Sequence, residues 1–165
     1  MARSGTAVRN AAGRSPQRAA ADEIDFGPLA GWIGFHLRMA QIASFQNFER
    51  HARDIDLSPG RFAALTVIGL NPGISQTALS RAIGSDKSTL TPALSALVRR
   101  NLVRRTRTET DRRAYRLTLT AAGERMLREL TECARRHEEQ LDVIVGPRER
   151  AQFLRTLRKI AEELA

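Results

Sequence analysis

"DKSTLTPALSALVRRNLVRRTRTETDRRAYRLTLT", Asp86 to Thr120, changes its periodicity halfway along. The first part reads as a helix, started by Ser85 or Asp86 and running to Arg100. The second reads as two strands. Leu102-Val103 carries β-type residues, and Tyr115-Arg116-Leu117-Thr118-Leu119 alternates apolar with polar at a period of two. The polar middle forms the loop of a hairpin, and near its tip stand Asp111, Arg112 and Arg113, led in by Thr-Glu-Thr. A solvated turn needs polarity, but it does not need two guanidinium groups beside a carboxylate.

Working outward, "SQTALSRAI" is a short helix capped by Ser75 and ended by Gly84, so that a first helix falls within Pro72 to Gly84 and a second within Asp86 to Arg100. Two short helices joined by a tight glycine-containing turn make a helix-turn-helix. Upstream, "LSPGRFAALTVIGLNPG" is a helix with Ser58 as N-cap and Asn71-Pro72-Gly73 as its stop. Before it, Gly27-Pro28 starts a long helix reaching toward Ala52. Leu29, Trp32, Ile33, Leu37, Ala40, Phe45 and Phe48 cover more than one stripe of that helix. Burial on two sides is predicted, and a partner subunit is an economical cover for the second. Downstream, Leu119-Thr120 leads into a long helix through Val145. Its Leu127, Leu130, Ala134, His137, Leu141 and Ile144 form a three-four seam. Gly146-Pro147 breaks it, and a last helix shows Phe153, Leu157, Ile160 and Leu164 on one face.

The predicted class is therefore mainly α with a small β-hairpin wing, a winged helix-turn-helix. Residues 1–24 read as a flexible basic tail and 25–56 as a dimerisation helix. The DNA-binding domain spans 57–119, and C-terminal dimerisation helices span 120–165.

Charge supplies the partner. The chain has 165 residues and a formal net charge of +9, from 27 basic against 18 acidic residues. All the basic residues except Lys87 and Lys159 are arginine, whose planar fork suits phosphate and guanine. An arginine-favouring genome gives the same bias, so placement decides. Between Arg99 and Arg116 eight arginines face two acids, beside the reading head. A recognition helix enters the major groove and its N-terminal residues reach base edges. Here the candidates are Ser85, Lys87, Ser88, Thr89, Thr91 and Ser95. The wing adds Arg107, Asp111, Arg112 and Arg113, because a narrow minor groove attracts arginine. Asp111 and Arg113, two apart on an extended chain, project to the same side, so the carboxylate can orient the guanidinium. A salt-bridged solvated turn is the alternative. Double-stranded DNA is the expected partner, and a nonspecific architectural nucleic-acid-binding protein is the competing reading that charge alone allows.

Other chemistry is poorly represented. His36, His51 and His137 are scattered, with no phosphate loop or nucleophile motif, so no enzyme and no cofactor are expected. Cys133 and His137, four apart, make at most half a zinc site, and His137 on the apolar seam reads better as a packed histidine. One cysteine, no apolar h-region in residues 1–20 and no long apolar run point to a soluble, cytoplasmic protein without membrane association.

On "DKSTLTPALSALVRRNLVRR", the wing "DRRAYRLTLT" and the following "AAG", the chain resembles the MarR family (multiple antibiotic resistance regulators) over residues 28–163. The resemblance implies a winged-helix DNA-binding protein, dimeric through its N- and C-terminal helices, in which Asp111 orients Arg113 in the minor groove. It also implies an effector pocket between the dimerisation helices and the DNA-binding lobe, for a small aromatic ligand. "GFHLRMAQ" is similar to members that respond to coenzyme A thioesters of aromatic acids, which makes Trp32, His36, Arg38 and Phe45 the candidate effector residues. His36 as a satisfied interface histidine, and Arg38 paired across a dimer, are the plainer alternatives. One departure stands out. Pro92 falls inside the recognition helix, where it removes a hydrogen bond and crowds the Ser88 carbonyl, so a bend or loosening is expected.

Overall fold

A computed structural model describes residues 24–52, 57–107 and 115–164. After a 3-10 turn at Gly27–Gly31 come α1 (Ile33–His51), α2 (Pro59–Leu70), β1 (Ile74–Ser75), α3 (Gln76–Ala82) and α4 (Lys87–Arg99). The strands β2 (Val103–Arg107) and β3 (Tyr115–Leu119) follow, then α5 (Ala121–Val145) and α6 (Arg150–Glu163). The sheet is antiparallel with strand order β1-β3-β2. Its register sets Val103 opposite Leu119, Arg105 opposite Leu117 and Arg107 opposite Tyr115.

Local chemistry explains most boundaries. Ser75 caps α3 by accepting from the Ala78 N–H at 3.2 Å. Asp86 caps α4 by accepting from the Thr89 N–H at 2.8 Å. Asn101, at φ 53, takes the left-handed position that ends α4. Thr120 caps α5 by accepting from the Gly123 N–H at 3.0 Å. Gly123 must itself be glycine: a Cβ there would lie 2.0 Å from the Leu102 carbonyl oxygen. That close approach seats the start of α5 on the junction between α4 and β2.

One core unites these parts. Leu65 and Ile68 of α2, Leu79 of α3, Leu90, Leu94 and Leu97 of α4, Leu117 of β3 and Leu130 of α5 are fully buried in it. Removal of that apolar surface from water drives the winged lobe together. α1 extends the core through Phe48 and packs along α5.

Four expectations change. The first long helix starts at Ile33, because Trp32 is extended (φ −94, ψ 124) and Pro28 begins only the 3-10 turn. Glycines at 27, 31 and 34 weaken a continuous helix there, each by about 1 kcal/mol relative to alanine. The wing gains a third strand, since Ile74 and Ser75 pair with Leu117 and Arg116, and the first helix of the helix-turn-helix starts at Gln76 directly after its expected Ser75 cap. α4 runs continuously through Pro92. Finally, the α5 seam leaves the core before its last member, with Ile144 78% exposed.

Candidate nucleic-acid interface

α4 buries its leucines inward and turns Lys87, Ser88, Thr89 and Thr91 to solvent, with Ser85 and Ser95 half-buried. Its hydroxyls are already committed in different ways. Ser88 Oγ donates to Asp86 Oδ1 at 2.5 Å, and Thr89 Oγ1 donates to Asp86 Oδ2 at 3.1 Å. The Ser88 hydroxyl, then the Thr89 backbone and hydroxyl, hold the Asp86 carboxyl down at a pKa of about 2. Ser88 and Thr89 thus complete a cap as well as facing outward. Ser95 Oγ donates back to the Thr91 carbonyl at 2.9 Å. Lys87 takes part in no such bond, and the Thr91 oxygen accepts from Gln76 Nε2 at 2.9 Å.

Beside α4, the wing strands carry exposed Arg104 and Arg107, with Arg105 half-buried. The Arg105 guanidinium lies 4.3 Å from the centre of the Tyr115 ring and that of Arg107 lies 5.9 Å from it. Arg105 also reaches Gln76 Oε1, at 3.4 Å. Arg116 passes over Gly73, where its Nη1 would sit 3.4 Å from an added Cβ. Asp111, Arg112 and Arg113 lie outside the described residues. Gln76, Arg104 and Arg105 are functional candidates that sequence reasoning missed. The arginine run was visible, but nothing in Gln76 as a helix-opening residue signals a link between α4 and the wing.

Profile and relatives agree with this geometry. The family model for MarR matches residues 57–115, from α2 to the start of β3. The protein named as transcriptional regulator of the hcr operon in Thauera aromatica is 33% identical over 139 residues, 84% of this chain and 84% of its own length. The chain belongs to the MarR family. Among solved structures, the repressor CouR bound to a 23-mer DNA duplex is 33% identical with a TM-score of 0.77, over 84% of this chain and 99% of that one. CouR bound to p-coumaroyl-CoA is 31% identical with a TM-score of 0.78, over 86% and 99%. This MarR-family chain is accordingly a winged-helix transcriptional regulator, not an enzyme.

The candidate effector residues fall into two separate pairs, Trp32 with His36, whose backbone N–H donates to the Trp32 carbonyl at 3.3 Å, and Arg38 with Phe45. His36 and Arg38, two apart, point about 200° away from each other around α1. Trp32 precedes the helix and is 57% exposed, His36 is bound to the Ala30 carbonyl at 2.8 Å, and Phe45 is half-exposed on the same side as Arg38. A cavity of about 570 Å³ opens elsewhere, between α2, β3 and α5. Its walls are mostly apolar, with Gly69, Leu70, Pro72, Leu119 and Leu127, and Glu124 and Arg128 stand one turn apart at its edge. Gly69 keeps that wall thin, since a Cβ there would meet Leu119 and Leu127 at 3.0 and 3.1 Å. The Thr66 and Thr131 hydroxyls on its lining donate to their own helices, which leaves Thr118 and the two charged groups to orient a guest.

Neither the metal nor the membrane reading gains a structural basis. Both ring nitrogens of His137 are occupied, by Ser44 at 3.0 Å and Asn47 at 2.8 Å, so it offers Cys133 no free partner for a metal. Among the described residues no helix is long and apolar enough to cross a membrane.

Proposed function

We propose that the chain is a ligand-responsive repressor that binds a pseudo-palindromic operator as a homodimer and releases it on binding a small aromatic effector, as the coenzyme A thioester. The observation that carries the DNA part is the link between the outward side of α4 and the wing, where Thr91 accepts from Gln76, Gln76 accepts from Arg105, and Arg105 and Arg107 lie over the Tyr115 ring. A helix with small hydroxyls and one cation enters the major groove, while arginines flanking it serve the backbone and minor groove. At the wing tip Asp111 orients Arg113 in the minor groove, and Arg112 takes a phosphate. The unpartnered apolar side of α1, with Trp32, Met39, Ile42 and Phe45, supports the dimer, and so do exposed Val143 and Phe153 beyond the core.

The effector part draws on the cavity between α2, β3 and α5, whose apolar walls suit an aryl group. The relative CouR is known with p-coumaroyl-CoA. A cavity of this size takes the aryl end, and the nucleotide of a thioester extends toward surface arginines. Trp32, His36, Arg38 and Phe45 then serve the effector only as part of the dimer, where one subunit's α1 borders the other's cavity.

Fluorescence anisotropy tests both parts. The purified protein is titrated onto the duplex upstream of its own gene and onto a scrambled duplex, each with aromatic acids and their coenzyme A thioesters. Tight binding to the upstream duplex alone, released by a thioester and not by the free acid, is the expected result. Equal binding to both duplexes with a steep salt dependence would leave the architectural reading, which the net charge of +9 favours.

A further inference from the structure

Three side chains from three elements form one hydrogen-bonded line. Arg105 Nη2, in β2, donates to Gln76 Oε1 at 3.4 Å, and Gln76 Nε2, at the start of α3, donates to Thr91 Oγ1 at 2.9 Å on α4. The polarity of that line is decided at one end. A guanidinium has donors and no acceptor, so the Gln76 amide must turn its oxygen toward Arg105. Its NH₂ group is thereby aimed at Thr91. The Thr91 oxygen accepts, and its single proton is left to donate elsewhere. Among the described residues no acceptor takes it, and Thr91 is exposed.

A free threonine hydroxyl serves a donor or an acceptor on a base edge equally well. This one has less freedom, because one of its two lone pairs is taken by Gln76 and its proton is left on the outward side. Arg105 is held in place by the Tyr115 ring, 4.3 Å away, and its Nε is buried without a partner. Swinging the guanidinium away from Gln76 would give up both the ring contact and its one hydrogen bond to the line.

We infer that Gln76 and Arg105 are positioning residues for operator specificity, which occupy one Thr91 lone pair and so keep its proton turned toward the base edge it faces, favouring donation there. The base that Thr91 faces is then one with an exposed major-groove acceptor (guanine, thymine, or adenine through N7) rather than cytosine, whose N4 only donates. This rests on the reading that α4 enters the major groove. The wing therefore acts on specificity from a distance, through the direction of one amide.

The test is selection from a randomised duplex library with the full chain, comparing wild type with Q76E, Q76A, T91V, R105K and R105A. In Q76E the carboxylate accepts from both neighbours, so the Thr91 proton turns inward and its lone pairs face the groove. Wild type should disfavour cytosine, the base without a major-groove acceptor, at one symmetric pair of positions, and Q76E should shift the preference there toward cytosine by about tenfold. Q76A, T91V and R105A should relax that position alone, while R105K, still a pure donor, keeps it. Melting temperatures confirm folding, and if Q76E does not fold, Q76A against T91V decides: an unchanged preference in Q76A overturns the inference. So does a Q76E profile equal to wild type. Uniform weakening with no change of preference places Thr91 on a phosphate and overturns it too. A wild type that enriches no palindrome overturns the groove reading of α4 itself, a different failure.

Discussion

His137 is 6% exposed and is the one buried polar side chain of the core among the described residues. It sits between α5 and α1 with both ring nitrogens in use. Its Nδ1–H donates to Asn47 Oδ1 at 2.8 Å, and its Nε2 accepts from the Ser44 hydroxyl at 3.0 Å. The Phe48 ring meets it edge-on, with centroids 5.9 Å apart. This arrangement satisfies the neutral imidazole completely. Burial lowers its pKa from 6.5; Glu138 opposes the shift, and His51 adds to it. The unfolded chain therefore takes up a proton at a pH where the folded chain does not. The resulting stability is complete above the unfolded value of 6.5 and is lost as the pH falls below it toward the folded value. Thermal unfolding at about pH 7.5 and about pH 5.5 should show a larger acid loss for wild type than for His137→Gln, whose amide keeps one donor and one acceptor without titrating. Equal losses in the two proteins would refute a role for His137 in the acid response.

At the scale of the element, α4 shows how a local rule and the tertiary structure divide the work. Proline at position 92 removes the hydrogen bond to the Ser88 carbonyl, which predicts a bend, yet the helix is continuous from Lys87 to Arg99. Leu90, Leu94 and Leu97 are fully buried on its inner face and hold both halves to one core, while the Asp86 cap anchors the first turn. The missing hydrogen bond remains even though the helix is continuous. Pro92→Ala restores the donor and should raise stability by about 1–3 kcal/mol, read as an increased melting temperature. An unchanged or lower melting temperature would show that the proline's rigidity in the unfolded chain outweighs the missing bond. The same division explains what could be read from sequence. α2, α4, β2, β3 and α5 carry local signals: the Ser58, Asp86 and Thr120 starts, the Asn71-Pro72-Gly73 stop, and alternation in Tyr115–Leu119. β1 carries none, because two residues become a strand only by pairing with β3 some forty residues later in the chain. Of the interface, the outward residues of α4 were legible from their position after the turn. The dual use of Ser88 and Thr89 in the Asp86 cap was legible only in part, and the line from Arg105 to Thr91 not at all, since three separate elements must fold before it exists.

For the whole molecule, the unresolved question of surface is α1. One side of this helix packs on α5 through Phe48, while Met39, Ile42 and Phe45 on other sides stay open, as do Val143, Ile144 and Phe153 of the C-terminal helices. Ile42 and Phe45, three apart, are neighbours on the helix surface. A monomer has no use for two apolar sides, and a dimer supplies the second without adding residues. Symmetry then gives function its geometry. In the proposed dimer, two copies of α4 related by a two-fold axis are expected to read half-sites about one helical turn apart, roughly 34 Å. The second helix then binds at high effective concentration, a gain of about 10²–10⁴-fold over one lobe alone. Phe45→Asp places a charge at one end of that apolar row but outside the chain's own core, so each subunit should fold with an unchanged melting transition once dissociation is accounted for. Light scattering should report the monomer mass, and operator affinity should fall by roughly the factor that linkage supplies. A Phe45→Asp protein that remains dimeric and binds its operator normally would move the interface away from this side of α1, leaving the ends of α5 and α6 to carry it.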